Sequence, residues 1–149
     1  MPDRILHAVK ITRVEAWPVE MRLSEPYTIA YETVERVTNV FVRVVTNRRV
    51  AGHGCAAPDE QVTGETPASA IAALHGPVAT ELAGSDPMRR TLLIEQLREP
   101  LRASPSVRAA VDMALFDLLG QVANLPVWKL LGGYRDRMQI GRASCRERV

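Results

Sequence analysis

The stretch 104–133, SPSVRAAVDMALFDLLGQVANLPVWKLLGG, constrains the fold of this chain more than any other. Its residues Val107, Ala110, Val111, Ala114, Leu115, Leu118 and Val122 recur at i, i+3, i+4 and i+7, so a helix gathers them into one stripe that has to be buried. Ser104 is placed to cap the first free amides, with Pro105 at the first helical position. A second short helix restarts at Pro126 and stops at Gly132-Gly133. The residues before this stretch must supply the surface on which the stripe packs.

That surface reads as a small β-meander. Residues 9–21 alternate through Val9 and Ile11 and onward past Val14, the pattern of a strand covered on one face, with Pro18 marking an edge position or the strand's exit. Residues 22–35 hold the breaker Ser24-Glu25-Pro26 and two tyrosines without a sustained period, and are expected to form a long loop. Residues 37–45, VTNVFVRVV, set Val40, Val42 and Val44 on one face; a tight turn at Asn47-Arg48-Arg49 returns 50–56 as a third antiparallel strand. After a second loop at 57–64, Thr66-Pro67, Asp86-Pro87 and Ser104-Pro105 each put a capping side chain before a proline, implying three helices, the first kinked at Gly76-Pro77. Strands followed by helices indicate an α+β fold, a three-stranded antiparallel meander and then a helical bundle.

Composition enters through the chain's end. The string IGRASCRERV, residues 140–149, breaks the preceding patterns and back-translates in one frame to a common sequencing adapter, so it is expected to be non-native and is set aside. Arg142, Arg146 and Arg148 against Glu147 carry net +2, the whole formal charge of the chain, which leaves the rest neutral and removes any argument for nucleic acid. Without Cys145, Cys55 is alone, so no intramolecular disulfide is expected and a reducing compartment fits. Apolar runs are interrupted well short of a membrane span and the N-terminus lacks a signal-peptide core, so no membrane partner and a cytoplasmic location are expected.

No self-contained active site is legible. Gly52 and Gly54 lack the third glycine and helix start of a dinucleotide fingerprint, and a structural turn is the simpler reading. Cys55 has His53 on the same strand face but no third group to orient it, and reads as a small buried cysteine. Asp59 and Glu60 are adjacent loop carboxylates that read as solvated. Asp112 and Asp117 diverge on their helix; each is expected to cap, or to pair with an arginine of a neighbouring element. His7 and His75 are isolated in the sequence, and no role is read for them. Neither catalytic nor metal-binding residues are expected in the chain.

Taken together, AAVDMALFDLLGQVANLPVWKLLGGYRD (109–136), the loop AAPDEQVTGET (56–66) and EPYTIAYET (25–33) resemble the N-terminal capping domain of the mandelate racemase and muconate lactonizing group of the enolase superfamily, in particular its dipeptide epimerases of L-Ala-D/L-Glu type. The resemblance spans residues 5–139 and implies a lid over a modified TIM barrel. On it, residues 1–132 are the capping domain, 133–139 the start of a truncated barrel and 140–149 the foreign tail. The two loops 22–33 and 55–64 would close over the substrate, with Tyr27, Ile29, Tyr31, Glu32 and Asp59 as substrate-binding lid residues. The implied reaction is abstraction of a proton α to a carboxylate or carbonyl by a barrel lysine, an enediolate stabilised by a magnesium ion on three barrel carboxylates, and return of the proton by a second lysine. The cofactor is thus magnesium in the full-length enzyme and none in this stretch, which alone is expected to be inactive; the partner is a small-molecule substrate, a dipeptide, and a homo-oligomer is left open.

Two departures from the pattern bear on specificity. Many relatives have Gly-x-Gly-Glu where Gly52-His53-Gly54-Cys55 stands, and some Ala-Glu epimerases carry an arginine at the position of Glu32. An acid there repels a glutamyl side chain and favours a cationic one, unless it faces solvent. The remaining alternatives are the cap of a muconate-type cycloisomerase, or a stand-alone α+β module that binds a partner through Tyr27, Ile29 and Tyr31.

Overall fold

The alternation of Val40, Val42 and Val44 puts three β-branched side chains on one side of a strand. In the computed structural model, which describes residues 9–28, 33–135 and 137, all three are fully buried. They belong to β2 (Thr33–Thr46), the centre of an antiparallel sheet whose order is β1-β2-β3, with β1 spanning Ile11–Thr28 and β3 Ala51–Ala56. Val14, Ala16 and Pro18 of β1 pair with Val44, Val42 and Val40, and Gly52, Gly54 and Ala56 of β3 pair with the same three residues. One face of the sheet is therefore apolar from edge to edge. A register shift between Ile11 and Arg13 explains why the buried phase passes from Ile11 to Val14 rather than to Arg13. Pro18 does lie on an edge strand, where its missing N–H costs no ladder bond, but the strand runs on past it.

The expected loop at 22–35 is corrected. β1 continues to Thr28 and β2 starts at Thr33, with Arg22 paired to Arg36 and Tyr27 to Val34. Leu23, Ser24, Glu25 and Pro26 thus stand against the single residue Glu35, so the breaker is absorbed as a bulge and the hairpin resumes beyond it. The hydroxyls of Thr28 and Thr33, 3.0 Å apart, close the last described rung.

The helical half comprises α1 (Pro67–Ala73), a π-helical turn Leu74–Val78, α2 (Ala79–Leu82), a 3-10 turn Pro87–Arg89 leading into α3 (Arg90–Gln96), α4 (Pro105–Ala123) and α5 (Val127–Leu130). The kink expected at Gly76-Pro77 is this π turn, which accommodates a ring that cannot donate to the ladder. Two of the three cap-proline starts act as read. Thr66 and Ser69 form a reciprocal capping box, and the Asp86 carboxylate accepts from the Met88 amide at 2.9 Å. Ser104 makes no side-chain cap bond, and that expectation is corrected: the free amides of α4 are met from elsewhere in the chain.

The stripe of α4 packs as read, with Val107, Ala110, Val111, Ala114, Leu115 and Leu118 buried and Val122 half-buried. It meets Leu74, Val78, Leu82, Leu97, Leu101 and the apolar face of the sheet in one core. Gly52 and Gly54 are not a turn. They sit inside β3, and a Cβ on either would fall 2.0 Å from the carbonyl oxygen of Ala114 or Ala110. Their missing side chains let α4 lie directly on the strand.

Candidate functional site: the cleft between the hairpin and the 57–64 loop

Past the bulge at 23–26 the β1–β2 hairpin continues as an outer arm, and β3 ends at Ala56, paired with Val40. The loop that follows is stiffened by its own polar groups. Asp59 Oδ1 accepts from the amides of Gln61 at 2.9 Å and Val62 at 3.0 Å. Thr63 donates its amide at 2.8 Å and its hydroxyl at 2.9 Å to the Asp59 carbonyl. This is an Asx-type turn, which folds the loop back towards the hairpin. Between the two lies an open cleft of about 490 Å³ lined by Tyr27, Arg36, Asn39, Pro58, Asp59 and Glu60 among others.

Of the residues singled out from sequence, Tyr27 and Asp59 are brought together on this cleft, whereas Ile29, Tyr31 and Glu32 lie outside the described residues. Asp59 has already committed one carboxylate oxygen to the loop backbone. Its neighbour Glu60 is exposed and forms no hydrogen bond or ion pair among the described residues. Arg36 is held by Glu20 across the strand pair, so the uncommitted charge of the cleft is negative. Sequence reasoning read Glu60 as solvated, and the residue is exposed, but did not place it among the cleft residues. The signal was the Asp-x-x-x-Thr spacing of 59–63, which marks the first acid as the turn's cap and leaves the second one unspent.

The other polar residues serve the scaffold. Asp117 accepts from the backbone amide of His53 at 2.9 Å and approaches its ring Nδ1 at 3.4 Å; the expectation of an arginine partner or a cap is corrected for this residue. Asp112 does pair with an arginine: Arg90 reaches its carboxylate at 2.6 Å while lying 3.8 Å over the Phe116 ring. Cys55 is half-buried rather than buried; burial pushes its thiol above the usual cysteine range, against a smaller opposing effect of the Asn39 side chain. That is the reverse of what a nucleophilic cysteine needs. His75 is exposed on the π turn, and His7 lies outside the described residues. Among the described residues no three His, Cys, Asp or Glu side chains converge as a metal-ligand set.

The architecture has a counterpart. Residues 11–132 match the family described as mandelate racemase / muconate lactonizing enzyme, N-terminal domain. The chain belongs to this family. It has the α+β capping-domain fold of the enolase superfamily, and the mandelate racemase / muconate lactonizing N-terminal domain accounts for every described strand and helix. An L-Lys-D/L-Arg epimerase of Desulforapulum autotrophicum is 39% identical over 87% of this chain and 37% of its own length. The dipeptide epimerase of Methylococcus capsulatus, solved with Mg and the dipeptide L-Arg-D-Lys, is 37% identical with a TM-score of 0.77 over 83% of this chain and 35% of that one. The muconate lactonizing enzyme of Pseudomonas fluorescens, solved with muconolactone, gives 27% identity and a TM-score of 0.80 over 87% and 36%. The chain thus spans a little over a third of the curated relatives' length. Among the described residues no helix is long and apolar enough to cross a membrane.

Proposed function

We infer that this domain is the substrate lid of an epimerase acting on dipeptides with a cationic side chain. The carrying observation is the cleft between hairpin and loop, where Arg36 is neutralised by Glu20 while Glu60 is left unpaired. An ammonium or guanidinium group entering the cleft gains from that carboxylate, and a glutamyl side chain is repelled. The relatives that act on Lys- and Arg-containing dipeptides support the same reading. Glu32, named from the sequence as a candidate for the same preference, lies outside the described residues.

The work assigned to this chain is binding, orientation and exclusion of water: Tyr27 and the 57–64 loop close over the substrate, and the proton transfers fall to groups that the other two thirds of such an enzyme would supply. Magnesium, present in the solved relative, would stabilise the enediolate there; the described residues do not form its ligand set.

A full-length enzyme carrying this domain is expected to turn over Lys- or Arg-containing dipeptides with higher kcat/KM than L-Ala-D-Glu. Preference for L-Ala-D-Glu overturns the charge argument. Turnover of muconate and of no dipeptide assigns the domain to a cycloisomerase instead. Glu60→Gln should raise KM for the cationic dipeptide about two- to fivefold, as for one exposed ion pair, with little effect on a neutral dipeptide.

A further inference from the structure

Glu65 is the only acidic or basic side chain among the described residues that is buried, with 1% of its surface exposed. A carboxylate withdrawn from water this completely is retained only where donors surround it. Those donors all come from the first turn of α4, forty residues away in sequence: the Ser106 hydroxyl at 2.8 Å, the Ser106 amide at 3.1 Å and the Val107 amide at 3.4 Å. Pro105 has no amide and Arg108 already donates to the Ser104 carbonyl, so Glu65 takes every amide that the first turn leaves free. The positive end of a nineteen-residue helix also favours the charge.

We propose that Glu65 is the positioning residue of the lid, pinning the downstream root of the 57–64 loop to α4. The upstream root is referenced to the same helix, because Gly52 and Gly54 seat β3 against the Ala114 and Ala110 carbonyls a few residues before the loop begins. Both ends of the loop that carries Asp59 and Glu60 are therefore set by one rigid element. Thr66, next to Glu65, caps α1, so the restraint stops where the helix starts. The loop's own turn, built by Asp59 and Thr63, keeps its shape; Glu65 sets where that shape sits relative to the hairpin.

Amide hydrogen exchange on the chain, which is independent of any enzymatic reading, tests the pin. In Glu65→Gln, which keeps the volume but loses the charge and one acceptor oxygen, amides of 59–64 and of 106–107 should exchange roughly tenfold faster while those of Val40, Val42 and Val44 are unchanged. Unchanged exchange in the loop overturns the proposal, as does an equal acceleration in loop and β2, because that reports general destabilisation. Glu65→Asp, which retains the charge but is one methylene short, should fall between wild type and Glu65→Gln. The kinetic arm rests on the epimerase reading: in a full-length enzyme Glu65→Gln should raise KM about tenfold with kcat within about twofold. A purely structural role would instead lower the amount of active enzyme and leave KM alone, and that result overturns the positioning role even if the exchange result holds.

Discussion

At the residue scale the closest contacts are those where a side chain is missing. The Cβ introduced by Gly54→Ala would sit 2.0 Å from the Ala110 carbonyl oxygen, a backbone atom that can recede only if α4 lifts from the sheet. The variant should lose stability at or above the top of the ~1–3 kcal/mol usual for overpacking, read from urea unfolding. These two glycines show how a residue can be visible in sequence while its role is not. The GxG spacing suggests a turn, and nothing local says that a helix more than fifty residues on will lie against it. Glu65 was hidden for the same reason: its partners Ser106 and Val107 are distant in sequence, and Ser104 offered a nearer and chemically reasonable cap. Glu15 gives a pH-dependent case. Its hydrogen bond from Arg13 at 2.6 Å, with a lesser contribution from Arg43, holds its carboxyl below the usual range against some desolvation. A carboxylate whose folded-state value is lowered stabilises the fold above its unfolded value and ceases to do so as the pH falls through the folded one. The difference in urea midpoint between wild type and Glu15→Gln should therefore be level at neutral pH, and shrink towards zero as the pH drops through and below about 4.

At the element scale, patterns that span one turn or one strand face were legible, and those that depend on a partner strand were not. The valine alternation in β2, the α4 stripe and the cap-proline starts of α1 and of the turn before α3 all rest on local periodicity or local hydrogen bonds, and the structure has each of them. The outer arm of the hairpin failed as a reading because Ser24-Glu25-Pro26 is a genuine local breaker. Pairing of Tyr27 with Val34 beyond it restores the ladder at the cost of a bulge, which only the opposite strand reveals. The cleft inherits this limit: Tyr27 and Asp59 were named from a resemblance, whereas their meeting depends on that extended arm and on a loop folded by Asp59 itself. The capping box at α1 has a measurable weight. Thr66→Ala removes the acceptor for the Ser69 amide at 3.1 Å and should cost about 1 kcal/mol of stability by urea denaturation. Because Thr66 adjoins Glu65, the same variant is a useful contrast in exchange experiments: α1 amides at 68–70 should respond first, and the 59–64 loop less than in Glu65→Gln.

At the scale of the whole molecule, the apolar surface is unevenly distributed. The inner face of the sheet and the α4 stripe are sealed, yet Leu125, Trp128, Leu131 and Tyr134 follow one another along the last described segment at 43%, 45%, 67% and 91% exposure. On the far side of the sheet Trp17 is 41% exposed and stacks on Phe41 with ring centroids 6.3 Å apart. Scattered apolar residues need no explanation, but a run of four in ten positions is a surface made to be covered. This chain matches 37% of the length of a curated relative, and in the lid reading proposed above the further chain of such an enzyme would cover this run. Charge offers little counterweight, since outside residues 140–149 the acidic and basic residues balance. The isolated chain should therefore self-associate with rising concentration in sedimentation velocity and bind a hydrophobic dye in its folded state. The double variant Leu131→Ser with Tyr134→Ser should lower both signals without changing the unfolding free energy from urea denaturation by more than about 0.5 kcal/mol, because neither side chain belongs to the core. A chain that stays monomeric and dye-free at high concentration would mean that this run is accommodated without a partner, and would favour a stand-alone module over a lid awaiting its barrel.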